Sequence, residues 1–174
     1  MGQLTLYLGG AKSGKTRAAL AAVEALSPPW LYLATAEALD EEMARRIESH
    51  RAERGPRWRT VEEPLDPAGA LAAAPDGPPV LMDCLTLWLS NLVGRRGGTL
   101  ELGPYLEDVD RLVAAAGRRG GPLFVVSNEL GGGLTPMEPL GRFFRDLSGL
   151  AHQRLAAAAA AVWLVTAGLP MRLK

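Results

Sequence analysis

Apolar residues run on continuously in several short stretches of this chain. They cover 3–8 (QLTLYL), 30–35 (WLYLAT), 79–83 (PVLMD), 123–127 (LFVVS) and 162–167 (VWLVTA). Uninterrupted apolar runs of this length suit strands buried on both faces, as in a parallel sheet. Segments with helical spacing separate them: 16–26, 40–54, 67–74, 85–93, 105–118 and 140–160. The segment 40–54 opens with acidic residues and closes on arginines, as a helix dipole favours. Residues 57–61 suit a short exposed strand, and Ser27-Pro28-Pro29 and Gly55-Pro56 act as stops. The alternation predicts an α/β fold, a mostly parallel sheet with helices on both faces. No linker or internal repeat divides the chain, so residues 1–174 are expected to form one domain. The run Ala156 to Ala161 is expected to continue the last helix, packed closely on the sheet.

Composition narrows the function classes. Of 174 residues, 48% are hydrophobic and 22% charged, as in ordinary globular proteins. The formal net charge of zero argues against nucleic acid or an anionic membrane as partner. No apolar run is long enough to span a bilayer, and the N-terminus lacks the pattern of a secretory signal. Cys84 is the one cysteine, which rules out an intramolecular disulfide and fits a cytoplasmic setting. Lysine is rare: Lys12, Lys15 and Lys174 stand against sixteen arginines. Two of the three fall in one eight-residue loop, which points to a role for a compact ammonium there.

That loop reads Gly9-Gly10-Ala11-Lys12-Ser13-Gly14-Lys15-Thr16, between the first strand and the first helix. It matches G-x4-G-K-[ST] in the strand–loop–helix context that gives the motif meaning. Glycines let backbone N–H groups converge on an anion, and the helix N-terminus adds positive potential. Lys15 is the candidate for the β- and γ-phosphates and Thr16 for Mg²⁺. Asp83 ends an apolar strand, where ligands of open α/β sheets bind, and is a second candidate for Mg²⁺; a helix N-cap is its alternative role. Glu129 ends another strand and is the second candidate acid, also for Mg²⁺; a solvated loop carboxylate is its alternative role.

Arg46, His50 and Arg54 are spaced i, i+4, i+8 and would share a helix face. Flanking guanidiniums disfavour protonation of His50, and a neutral imidazole is a nucleophile. The same arginines could hold triphosphate oxygens while His50 attacks the α-phosphate. A surface histidine on an amphipathic helix is the plainer alternative. His152, within the last long helix, reads as structural.

Five segments carry a resemblance that spans nearly the whole chain: GGAKSGKTRAA, LYLATAEALDEEMARRIESHRAERGPRWRTVEEP, LMDCLTLWLSNL, VVSNELGGGLTP and LGRFFRDLSGLAHQRLAAAAAAVWLVTAGLP. In these the chain resembles the bifunctional adenosylcobinamide kinase / adenosylcobinamide-phosphate guanylyltransferases of cobalamin biosynthesis. The resemblance implies a RecA-like P-loop NTPase fold, a homotrimer, and ATP or GTP with Mg²⁺. It implies phosphorylation of adenosylcobinamide, then transfer of GMP from GTP to adenosylcobinamide phosphate through a guanylyl-histidine at His50. Its nucleotide contacts map to Gly9 through Thr16, to Ala34, Thr35 and Ala36, to Arg51, Ala52, Glu53 and Arg54, and to Glu62 and Asp83. The chain departs from the family in having His152 where Asn is usual, and Met137-Glu138-Pro139 after GGGLTP. Two rival functions are a P-loop small-molecule kinase without nucleotidyl transfer and a non-catalytic NTP-dependent switch.

Overall fold

The computed structural model describes residues 3–38, 40–52 and 54–174, without the side chains of residues 42, 43, 46, 49, 50 and 52. In chain order the elements are β1 (Leu4–Gly9), α1 (Lys15–Glu24), β2 (Trp30–Ala34), α2 (Glu41–Ala52), β3 (Trp58–Glu62), α3 (Pro67–Ala73) and β4 (Val80–Asp83). They continue with α4 (Leu85–Arg95), α5 (Leu102–Arg118), β5 (Leu123–Asn128), α6 (Pro139–Ala158), β6 (Ala161–Thr166) and β7 (Leu169–Arg172). The seven strands form one sheet in the order β3-β2-β4-β5-β1-β6-β7. All neighbours pair in parallel except β6 and β7, which form an antiparallel hairpin.

Both faces of the sheet are covered, which is why its central strands are apolar along most of their length. Leu4, Leu6, Leu31, Leu33, Met82 and Val125 join the core beneath α3, α4, α5 and α6. The alternating set, Tyr7, Tyr32, Leu81, Phe124 and Val126, packs on the other face with Ala19 and Val23 of α1. Successive side chains point to opposite faces, so each strand feeds two cores.

The elements depart from the sequence pattern in four places. Helix α2 ends at Ala52, ahead of Gly55-Pro56, so Arg54 lies beyond it and not on a shared helical face with residues 46 and 50. Helix α4 runs to Arg95 and α5 begins at Leu102, so the loop between them is shorter than the sequence suggested. The alanine run does not stay helical: α6 stops at Ala158 and β6 starts at Ala161. The Ala160 amide donates to the Leu4 carbonyl of β1 at 2.8 Å, so sheet pairing overrides helix propensity there. The last strand, β7, was not expected. Its turn uses Ala167 (φ 52°) and Gly168 (φ 80°), the left-handed pair that a two-residue hairpin needs. Pro170 masks the strand in the sequence, yet proline is tolerated at a sheet edge.

Candidate active site

Parallel pairing brings five strand ends to one edge of the sheet. Gly9 is in register with Asn128, Asp83 with Val126 and Ala34, and Ala34 with Glu62. The loop after β1 opens into a cavity of about 960 Å³ at this edge. Lys12 through Thr16 form one part of its wall, with Ala34, Ala36, Arg54, Asp83 and Asn128 elsewhere on it.

The phosphate loop is tightly built. A Cβ on Gly9 would lie 2.4 Å from Ser13 Oγ and 2.5 Å from the Val165 carbonyl, so only glycine fits. Gly14 takes φ 93° at the N-cap of α1. No side chain caps α1, which leaves its first amides for an anion. Lys15 is buried, and its ammonium donates to the Gly10 carbonyl at 3.1 Å. The Gly168 amide donates to the Ser13 carbonyl at 2.8 Å, so the β6–β7 turn braces the loop from outside.

Asp83 does not cap a helix. Cys84 occupies the N-cap of α4, its sulfur accepting from the Leu87 amide at 3.4 Å. The Asp83 carboxylate instead accepts from the Tyr32 hydroxyl at 2.9 Å while facing the cavity. Burial, reinforced by the Asp83 charge, pushes the Cys84 thiol up to about 12, so it stays protonated and inert. Thr35 is fully buried and is not on the cavity wall. Its hydroxyl donates to the Cys84 carbonyl at 2.7 Å and accepts from the Cys84 amide at 2.8 Å. The threonine thus clamps the peptide beside Asp83, and its side chain is spent on that bond.

The Arg54 guanidinium lies over the Tyr32 ring, 3.5 Å from the centroid, and the residue lines the cavity. Arg51 is exposed and 3.8 Å from Glu62. The His50 side chain, Glu53 and the Ala52 side chain lie outside the described residues. The backbone of His50 belongs to α2, and Ile47 of the same helix lines the cavity. Glu129 is turned to its own loop, accepting from the Gly131 amide at 2.5 Å and the Gly132 amide at 3.3 Å. It is not on the cavity wall, so its carboxylate shapes the Gly-rich loop rather than facing Thr16 and Asp83.

Beneath this edge runs a buried polar chain that the sequence did not reveal. His152 Nε2 and Ser127 Oγ are 2.7 Å apart, and Ser127 Oγ lies 3.0 Å from Thr86 Oγ1. Thr86 Oγ1 accepts from the Asn128 amide at 2.8 Å, fixing the residue that enters the cavity. Tyr32 and Asn128 were also missed as site residues. Tyr32 reads as core in a uniformly apolar strand, whereas Asn128 at a strand end beside the cavity carried a usable signal.

A mostly parallel sheet, a Gly-x4-Gly-Lys-Thr loop after its first strand and an acid at the end of a nearby strand define a P-loop NTPase of RecA-like architecture. Solved structures agree in fold: a prototypical ATPase of a bacterial type III secretion system (TM-score 0.59, 13% identity, 99% of this chain and 57% of that one) and the RadB recombinase (TM-score 0.53, 18% identity, 93% and 73%). Within that class the chain belongs to the cobinamide kinase / cobinamide phosphate guanyltransferase family, whose sequence model matches residues 5–173. It is 45% identical over 174 residues to the bifunctional adenosylcobalamin biosynthesis protein CobP of Pseudomonas aeruginosa, covering 97% of this chain and 96% of that one. It is 39% identical over 182 residues to the bifunctional adenosylcobalamin biosynthesis protein CobU of Salmonella typhimurium, covering 98% and 99%. The family is one of transferases, with nucleotides and cobinamide as its substrates.

Proposed function

We propose that the chain phosphorylates adenosylcobinamide with ATP or GTP and then transfers GMP from GTP to the resulting phosphate, with His50 as the nucleophile of the second reaction. One observation carries this reading. The phosphate loop, Asp83 and Arg54 share a single cavity with α2, the helix that holds position 50, through Ile47.

In the kinase step the loop amides and Lys15 bind the β- and γ-phosphates. The substrate hydroxyl attacks the γ-phosphorus, its proton passes to water, the bridging P–O bond breaks, and the nucleoside diphosphate leaves. Such transfer needs mostly positioning and charge neutralisation. Thr16 hydroxyl and Asp83 carboxylate are hard oxygen donors on one cavity wall, a set that suits Mg²⁺. Among the described residues no three acidic, histidine or cysteine side chains cluster as a self-contained metal site. That fits a cation held by one or two protein oxygens, with nucleotide phosphates and water supplying the rest. Bound there, Mg²⁺ would supply charge neutralisation on the phosphates.

In the transferase step a neutral His50 nitrogen attacks the α-phosphorus of GTP. A P–N bond forms, the α–β P–O bond breaks, and pyrophosphate leaves. An oxygen of adenosylcobinamide phosphate then attacks the same phosphorus and the P–N bond breaks. The route splits one hard displacement into two easier ones. Arg54 would hold phosphate oxygens, since it lines the same cavity as Lys15.

The setting inferred from the family is a cytoplasmic homotrimer built from a single domain per chain. Exposed apolar side chains such as Leu134, Met137, Leu169 and Met171 offer surface for such contacts. Among the described residues no helix is long and apolar enough to cross a membrane.

The reading is tested on product. Adenosylcobinamide incubated with the protein, Mg²⁺ and ATP should gain one phosphate by mass. Adding GTP should convert that species to adenosyl-GDP-cobinamide with one pyrophosphate released per turnover. Phosphorylation without the second conversion would reduce the protein to a small-molecule kinase.

A further inference from the structure

We propose that Tyr32 is a positioning residue that ties the two sides of the nucleotide site together, its hydroxyl fixing the Asp83 carboxylate and its ring carrying the Arg54 guanidinium. The inference rests on the reading above that Asp83 and Arg54 serve the nucleotide.

Tyr32 sits in the middle of β2, almost wholly buried, with only its outer edge on the cavity. Three elements meet on it. Its hydroxyl donates to Asp83 Oδ2 at the end of β4, a bond across 51 positions of sequence. Its ring face holds Arg54 from the segment after α2. Its flank meets Trp58 of β3 edge-on, at 6.0 Å between centroids, and Trp58 packs in turn on Trp30 at 5.5 Å. The aromatic cluster fixes the ring, so the tyrosine is a rigid platform and not an adaptable contact.

Each contact has a directional consequence. The Tyr32 hydroxyl supplies the proton of this bond and the Asp83 carboxylate accepts it. That bond engages Oδ2 and sets the plane of the carboxylate, which decides where Oδ1 points. Arg54 depends on the ring because its Nε is buried with no hydrogen-bond partner among the described residues. A guanidinium centred over an aromatic face is held by the ring quadrupole, and Arg54 is held in this way on the cavity wall. One side chain therefore sets both an acid on the phosphate-loop side and a cation on the α2 side.

Two variants separate these functions. Tyr32→Phe keeps the ring and deletes the hydroxyl, while Tyr32→Leu deletes both. Calorimetry gives the Kd for GTP without divalent cation, and turnover gives the Mg²⁺ concentration at half-maximal rate. Tyr32→Phe should leave the GTP Kd within about two-fold while raising the Mg²⁺ midpoint about five-fold, the loss of one hydrogen bond to a carboxylate. Tyr32→Leu should raise the Mg²⁺ midpoint similarly and also weaken GTP about five-fold, the loss of the cation–π platform. In the Tyr32→Leu background, Arg54→Ala should add little further loss of GTP affinity, because the two act as one unit. A lower Tm in both variants with Kd and Mg²⁺ midpoint unchanged would overturn the proposal, as would a full additional loss from Arg54→Ala. If Tyr32→Leu does not fold, Tyr32→Phe decides alone, and an unchanged Mg²⁺ midpoint overturns the claim for Asp83. The GTP-binding arm needs no turnover, so it separates a failure of this inference from a failure of the proposed reactions.

Discussion

At the scale of single residues, the site divides into side chains that meet the cavity and those that hold them. Lys15, Thr16 and Asp83 are of the first kind and were legible in the sequence, because a local motif and a strand end announce them. Thr35 is of the second kind. The family resemblance put it with the nucleotide contacts, but its hydroxyl is consumed by the Cys84 peptide. No spacing rule reveals a bond across 49 positions. His152 gives a pH prediction. Burial holds its imidazole below the ordinary value, against a smaller opposite pull from Glu129. As pH falls the unfolded chain therefore takes up this proton first. The stabilisation is complete above pH ~6.5 and is lost as pH falls from there towards the folded value, at up to ~1.4 kcal/mol per pH unit. A loss of 1 kcal/mol lowers Tm by about 2–4 °C in a chain of this size. Melting curves from about pH 7 to about pH 5 should fall more steeply for the native chain than for His152→Asn, which keeps an amide for Ser127 and cannot titrate. Parallel curves would contradict this reading of the buried chain.

At the scale of elements, the strands were read well where burial on two faces makes them continuously apolar. The hairpin β6–β7 was read by half. Its outer strand is exposed at every position and carries Pro170, so it has no apolar signature. Its turn lacks the Asn-Gly pair that marks such hairpins, using Ala167-Gly168 instead. That hidden hairpin matters to the site because Gly168 braces the phosphate loop through Ser13. Gly168→Ala would place a Cβ at φ 80°, 3.1 Å from an Arg17 guanidinium nitrogen. The left-handed conformation alone costs roughly 1–2 kcal/mol. Urea unfolding should show a loss of that size, and nucleotide affinity should fall as the brace loosens. Unchanged affinity at reduced stability would mean that the turn supports the sheet and not the loop. Helix α2 teaches the converse. Its spacing suggested one face for positions 46, 50 and 54, yet the helix ends at Ala52. Arg54 reaches the cavity by stacking on Tyr32, a contact that helical periodicity does not encode.

At the scale of the molecule, the alternation of strands and helices was enough to define a parallel sheet, and topology then does the work of assembly. Because β1, β2, β3, β4 and β5 run in parallel, their carboxyl ends deliver Gly9, Ala34, Glu62, Asp83 and Asn128 to one edge. Residues scattered across 120 positions of sequence thereby reach one edge, four of the five strand ends lying next to the phosphate loop or on its cavity wall. What the sequence alone could not supply was the second wall, since it depends on how α2 and the segment after it return to the sheet. The proposed reactions ask one cavity to serve two phosphorus atoms, the γ-phosphorus over Lys15 and the α-phosphorus near α2. The most direct measurement of that claim is covalent labelling. The protein is mixed with Mg²⁺ and GTP labelled at the α-phosphate, then denatured, beside His50→Ala and Lys15→Ala. The account predicts acid-labile, alkali-stable label on the native chain, absent from His50→Ala and strongly reduced in Lys15→Ala. A chain that binds GTP but retains no label, or a His50→Ala variant that labels like the native chain, would contradict it.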